Sequence, residues 1–294
     1  MKLSVCVSTY NQEKYIKSCL ESIDNQNINI PFDIIVGVDK SSDNTLKIVY
    51  EYQKISKNKV VIVTSDEQVG ASENYLRIHK RACGEFVSHI DGDDLMLPGK
   101  LSQQVKILEN SPHLSAVWHN MILFSDTGEV LNPVYASVWD GEITLKDFIR
   151  VGFVAAHSSI MYRKKCRNKY SYNYPVPDYA IFLDLLNQGN GYVINESLGM
   201  YRHNITGGTI NTGLVTFKAN VYRALYDFAL TKKNGVIRKE IFCFALLNLL
   251  ADLKSRRKID NKLLRLLTRN ASFIEINLLI DSYRKMIRTS VRKA

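Results

Sequence analysis

The sequence predicts an α/β fold with a mostly parallel central sheet, followed by a C-terminal helical region. Three observations carry that prediction. Strand-like and helix-like segments alternate through residues 1–90, the pattern of a sheet wound with crossover helices. Several of the strand-like segments are nearly continuous apolar runs, as expected of strands buried on both faces. Residues 215–294 then read as helices alone.

Leu3–Ser8 is the first strand. Residues 12–27 form a helix, because Tyr15, Ile16, Cys19, Leu20 and Ile23 recur on one face at helical spacing. Phe32–Val38 and Lys59–Thr64 are apolar strand runs, separated by a helix over 43–52. A helix over 71–82 leads to a strand at Glu85–Ile90. Beyond Pro98 a helix runs to about Glu109, and Ser115–Phe124 is a strand ending near a Thr127-Gly128 turn. Phe153–Ala156 and Ser158–Tyr162 are strand-like, 178–188 is helical and Gly191–Ile194 is a short strand. The polar stretch 207–213 marks a boundary. It gives a first domain over 1–213, with halves at about 1–100 and 101–213, and a helical region over 214–294. The expected C-terminal helices are 215–233, 236–254, 260–268 and 272–291.

Bulk properties exclude several classes. With 294 residues, 46% hydrophobic and 23% charged, the chain buries an ordinary core. Its longest apolar stretch, Ile241–Leu253, is broken by Asn248 and Asp252 and is too short to span a bilayer. The N-terminus lacks the pattern of a signal peptide, so a cytoplasmic protein is expected. Five widely spaced cysteines without a Cys-x-x-Cys pair argue for buried free thiols. The net charge of +10 is localised: residues 215–294 hold 18 Lys/Arg against 6 Asp/Glu, and residues 1–214 hold 21 against 23. Such asymmetry predicts a polyanionic partner for the C-terminal quarter, and an anionic membrane surface is the expected one. Nucleic acid is not expected, because no helix-turn-helix, RNP pattern or paired zinc ligands are present.

In open parallel sheets the ligand crevice lies beyond the carboxyl ends of the strands. The polar clusters at predicted strand ends are Thr9-Tyr10-Asn11, Asp39 and Asp91-Gly92-Asp93-Asp94. Three carboxylates within four residues repel one another unless a cation neutralises them. Carboxylate oxygen suits Mg2+ or Mn2+ bridging protein and diphosphate.

These clusters resemble the motifs of family 2 glycosyltransferases, which have the GT-A fold. The resemblance rests on Val7-Ser8-Thr9-Tyr10-Asn11-Gln12-Glu13, on Asp33–Thr45, and on Gly70 with Asn74 and Gly84-Glu85-Phe86. It continues through the acidic cluster and Leu95–Leu101, and covers about residues 3–205. It implies an inverting, metal-dependent enzyme that uses a nucleotide-sugar, with a UDP-sugar expected. Residues 1–100 become the nucleotide-binding half and 101–213 the acceptor half. Thr9, Tyr10 and Glu13 would line the base pocket, and Asp39 would accept from a uracil-type ring. Asp91 would contact the ribose or diphosphate side and Asp93 would ligate the metal. Asp178 would be the general base, with Asp184 the second candidate. Arg202 would face the diphosphate, and His203 would complete the metal shell. His157 is expected at the acceptor cleft, whereas His79, His89, His113 and His119 read as structural. Glu73, Val38, Lys40 and Pro177 depart from the residues the family often carries there. The resemblance implies a glycan acceptor, with a lipid-linked glycan of bacterial surface polysaccharide synthesis expected.

Competing functions fit less well. A nucleotidyltransferase would carry an early Gly-rich basic phosphate loop, and Val7–Glu13 has none. A non-catalytic basic membrane- or nucleic-acid-binding protein has no use for Asp91, Asp93 and Asp178 together.

Overall fold

A computed structural model describes residues 1–135, 139–167, 172–203, 209–232, 234–273 and 275–291. The elements run β1 (Leu3–Thr9), α1 (Ile16–Asp24), β2 (Phe32–Val38), α2 (Thr45–Gln53), β3 (Lys59–Val63), α3 (Ala71–Arg81) and β4 (Phe86–Asp91). Then come β5 (Leu95–Met96), α4 (Lys100–Asn110), β6 (Leu114–Phe124), β7 (Val130–Tyr135), β8 (Gly141–Ile143) and α5 (Leu145–Val151). The chain continues with β9 (Met161–Arg163), α6 (Asp178–Leu186), β10 (Asn190–Arg202), α7 (Thr209–Thr231), α8 (Gly235–Lys254), α9 (Asn261–Asn270) and α10 (Ile276–Val291).

All described strands join one sheet in the order β3-β2-β1-β4-β9-β6-β10-β5, with β7 on β6 and β8 on β10. Strands β3, β2, β1 and β4 are mutually parallel. β9 is antiparallel to both β4 and β6, so β6 runs in the direction of β4, and β10 runs parallel to β6. The carboxyl ends of β1, β2, β4, β6 and β10 therefore share one edge. Thr9, Asp39, Asp91 and Arg202 are delivered to that edge by topology alone, as the mostly parallel sheet requires.

Helices cover both faces. On one side Leu3, Val5 and Val7 of β1 pack with Ile16, Leu20, Val49, Leu101 and Val105 from α1, α2 and α4. On the other, Cys6 faces a core built with α3, α5 and α6. Val221, Tyr222, Leu225, Ile241, Ala245, Leu263 and Leu266 belong to that second core. The C-terminal helices are thus packed onto the sheet domain. Arg150 of α5 fastens them through Glu240 at 3.0 Å and Asp281 at 2.7 Å. Residues 207 and 208 of the expected boundary lie outside the described residues, and position 213 falls within α7.

Other differences from the sequence reading have physical causes. Phe153–Ala156 forms no strand, and His157–Ser159 curls into a 3-10 turn, leaving Met161–Arg163 as the strand. β10 is longer than Gly191–Ile194 because the polar Asn195-Glu196-Ser197 stretch sits at register shifts inside one continuous strand. α5 is set by a Thr144–Asp147 capping box, a local signal within a weakly patterned segment. Cys6, Cys19, Cys166 and Cys243 are buried free thiols, whereas Cys83 is exposed.

Candidate functional site

The loops after β1 and β2 are sewn together by side chains. Asn11, at φ 50°, accepts from Ser42 N at 2.8 Å, and its own N–H donates to Ser41 Oγ at 3.1 Å. Glu13 Oε2 accepts from the Asn44 backbone and side-chain amides at 2.9 and 2.8 Å. Asp43 in turn accepts from Glu13 N at 3.0 Å and from Thr45 N at 3.0 Å. Asp39 accepts from the backbone N–H groups of Lys40, Val69 and Gly70 at 2.8–2.9 Å, and from Ser65 Oγ at 3.3 Å. Burial would raise the pKa of both aspartates, but these donors outweigh it and hold Asp39 and Asp43 below the usual range. Thr9 is buried beside them and Tyr10 is 42% exposed at the rim. Asn74 closes the floor by donating to Gly37 O at 2.8 Å. A Cβ on Gly37 would stand 2.5 Å from Asn74 Oδ1. Arg77, one turn later, donates to Val38 O and Thr64 O at 3.0 and 2.9 Å.

The acidic cluster follows β4 in a tight turn. Gly92 N donates to Ser8 O at 2.8 Å. A Cβ at Gly92 would lie 2.6 Å from Gln12 Oε1 and 2.9 Å from Thr9 Cβ, so the close approach needs glycine. Asp94 is buried and accepts from Arg202 N at 2.9 Å. Arg202 Nε donates to Asp93 O at 3.0 Å, and its guanidinium lies 4.3 Å from each of the Tyr15 and Phe124 ring centres. Arg202, expected at the diphosphate, is thus engaged as a clamp on the Asp93–Asp94 turn. Beneath the cluster, Lys100 is buried and donates to Ser158 O at 2.6 Å. Burial pulls its amine down to about 7, against the opposing pull of Asp94, Cys19 and Asp91.

The carboxylates of this cluster differ sharply among themselves. Burial and the neighbouring Asp91 push Asp93 up to about 6. Burial, Asp93 and Asp91 push Asp94 well up. Burial also works against Asp91, but the bond and charge of His89, aided by His157 and Ser158, bring it below the usual range. Asp178 opens α6, which has Pro177 as its cap residue and no side-chain cap bond. Burial, then repulsion from Asp91, push Asp178 up to about 7. The side chains of Asp91 and Asp178 remain 40% and 33% exposed, so each is ringed by protein yet open on one side to a cleft. Water on that side moderates both shifts.

His157 links the two ends of this site. Its Nδ1 is 3.4 Å from Asp178 Oδ1, and its ring stands 4.3 Å from that of His89. It is packed against Tyr75 and Phe182 beside Asp178. Asp184, the second candidate base, pairs with buried Arg167 at 3.2 Å. His203 is exposed, tied by its backbone N–H to Phe124 O at 2.8 Å. Among the described residues no three or more His, Cys, Asp and Glu side chains converge as a ready metal site. His113 is exposed, and His119 is buried against Asn120 O at 2.7 Å, as structural histidines. His89, Lys100, Ser158 and Arg77 were not anticipated as site residues. Ser158, adjacent to His157, and Lys100, inside the Leu95–Leu101 segment, carried a sequence signal.

A same-direction sheet edge bearing two sewn loops, an acidic turn and a helix-opening carboxylate defines the GT-A class of architecture. The chain belongs to the glycosyl transferase family 2, whose profile matches residues 4–168. It is 28% identical over 210 residues to the GalNAc(5)-diNAcBac-PP-undecaprenol beta-1,3-glucosyltransferase of Campylobacter jejuni, covering 68% of this chain and 64% of that one. It is 23% identical over 206 residues to an uncharacterized protein of Mycobacterium tuberculosis, covering 70% of this chain and only 60% of the relative's length. Its fold matches the crystal structure of S. aureus TarS 1-349 in complex with UDP-GlcNAc with a TM-score of 0.68. That match has 18% identity and covers 98% of this chain and 88% of that one. No described helix is long and apolar enough to cross a membrane.

Proposed function

We propose that this protein is an inverting glycosyltransferase that moves a sugar from a nucleotide-sugar, a UDP-sugar in the first instance, to a hydroxyl of a glycan acceptor. One observation carries the reading: Asp178, held at about 7, is electrostatically coupled to Asp91 across the cleft that begins at the acidic turn. A general base works best when its pKa lies near the working pH. The Asp178 carboxylate would take the acceptor's hydroxyl proton as that oxygen attacks the anomeric carbon from the face opposite the nucleotide. His157 Nδ1 would steady the carboxylate. The TarS neighbour's complex with UDP-GlcNAc supports the donor class.

The donor set suits a hard divalent cation. Asp94 Oδ2 is buried without a hydrogen-bond partner, and Asp91 and Asp93 repel each other at the cleft floor. Asp93 would hold Mn2+ or Mg2+, with His203 at the adjacent strand end as the second candidate ligand. When bound, such an ion supplies positive charge to the diphosphate leaving group. Thr9, Tyr10, Glu13 and Asp39 would shape the base side, with Glu13 and Asp39 acting mainly by fixing the loops. The acceptor class is supported by the Campylobacter relative, whose name specifies an undecaprenol-linked glycan. A peripheral position at the inner face of a membrane is supported by exposed Leu250, Leu253 and Leu264 beside Lys254, Arg256, Arg257, Lys258 and Arg265.

A screen of UDP-, GDP- and dTDP-sugars for thermal stabilisation with Mn2+ or Mg2+ tests the reading. A UDP-sugar is expected to raise Tm only with the cation present. Stabilisation by none of them would refute it.

A further inference from the structure

Behind Asp91 the fold buries polar side chains that the transfer step does not use. His79 of α3, His89 of β4 and Tyr162 of β9 are each 1% exposed or less. Burying such groups is costly unless each finds a partner. Here they partner one another in a line. Tyr162 Oη lies 2.7 Å from His79 Nδ1, His79 Nε2 lies 3.0 Å from His89 Nδ1, and His89 Nε2 lies 3.2 Å from Asp91 Oδ1. Tyr75 stacks on His79 at 3.9 Å and meets His89 edge-on at 5.0 Å, which fixes both rings.

The line ends on the Asp91 carboxylate, which accepts from His89 Nε2. His79 is kept neutral by burial, so it donates through one ring nitrogen and accepts through the other. Ser158 anchors the same residue by accepting from Asp91 N at 3.0 Å.

We infer that Tyr162, His79 and His89 form a buried hydrogen-bond relay that aims the Asp91 carboxylate at the nucleotide-sugar, with His89 as a positioning residue. The relay crosses three elements, so the placement of α3 and β9 against β4 is read out at the donor site. The inference rests on the nucleotide-sugar reading of the Asp91 cleft.

The test is a double-mutant cycle on the full chain, with UDP plus Mn2+ as probe and calorimetry as readout. His89→Leu is expected to weaken UDP binding about tenfold or more, the range for losing a bond to a charged group. His89→Gln, which returns an N–H near the Nε2 position, should recover most of the loss. In an Asp91→Asn background, His89→Leu should change affinity by less than about twofold. An equal loss in both backgrounds would mean that His89 serves the fold alone and would overturn the proposal. A second measurement needs no ligand. Nitrogen-15 NMR of the histidine-labelled protein should find coupling through the hydrogen bond between the His79 and His89 rings, and its absence would overturn the relay. Failure of UDP to bind while that coupling is seen would count against the donor reading and leave the relay standing.

Discussion

The two banks of the cleft are built from the same residue type and do opposite things with it. On the bank formed by the loops after β1 and β2, Glu13, Asp39 and Asp43 meet backbone and side-chain donors at 2.5–3.3 Å. Asp39 and Asp43 are held below the usual carboxylate range. On the opposite bank Asp93, Asp94 and Asp178 are crowded by burial and by neighbouring carboxylates, and all three are pushed up. Role follows the balance of donors against burial and like charge. The saturated bank is a rigid frame, and the crowded bank holds charge at a cost that a cation, a proton or a substrate can relieve.

The sharpest break in this comparison is Asp178→Asn. It should lower kcat by about 10^3-fold, within the range for a lost general base, while UDP affinity stays within about twofold. A matching loss of affinity, measured by titration calorimetry, would put Asp178 on the wrong bank. The same carboxylate sets the pH dependence. It works only when deprotonated, so kcat/KM should fall as pH drops through about 7 and reach a plateau above it. A profile flat to pH 5 would contradict this. On the frame side, Asp39→Ala should cost about 2 kcal/mol of stability, because it strands the N–H groups of Lys40, Val69 and Gly70. Thermal unfolding reads that change as a loss of several degrees.

The smallest effect has the opposite sign. A carboxylate whose folded pKa lies above its unfolded value binds its proton more tightly in the native state. Stability therefore declines as pH rises from about 4 through about 7. Asp178→Asn should accordingly raise Tm by about 2–4 °C at pH 8 and leave it unchanged at pH 4. A lower Tm at pH 8 would show that Asp178 stabilises the fold.

The pattern of the chain made much of this legible. Apolar runs at Phe32–Val38 and Lys59–Val63 announce buried strands, and the parallel rule places Thr9, Asp39 and Asp91 together. The expected helices match α8 to α10 to within four residues at each end, whereas α7 begins at Thr209, ahead of the expected 215. Their charge, however, spoke only of a surface, while the Arg150 link to Glu240 and Asp281 spans 90 and 131 residues and left no local trace. The site behaved likewise. Motifs identified the cleft residues, but His79 and His89 gain their partners only when α3 lies against β4 and β9. Their spacing matches no ligand pattern, so the sequence showed two ordinary core histidines. Arg202 was expected at the diphosphate, and the structure sets it against the acidic turn. Its stacking between Tyr15 and Phe124 joins three distant segments and could not be anticipated.

The central claim is that the acidic turn binds a nucleotide diphosphate through a cation, while Asp178 stands apart as the base. UDP titrated into wild type, Asp93→Asn and Asp178→Asn, each with Mn2+ and with a chelator, tests it most directly. Wild type and Asp178→Asn should bind UDP only with Mn2+, and Asp93→Asn should not bind measurably in either condition. UDP binding of equal strength in the chelator, or undiminished in Asp93→Asn, would contradict the account.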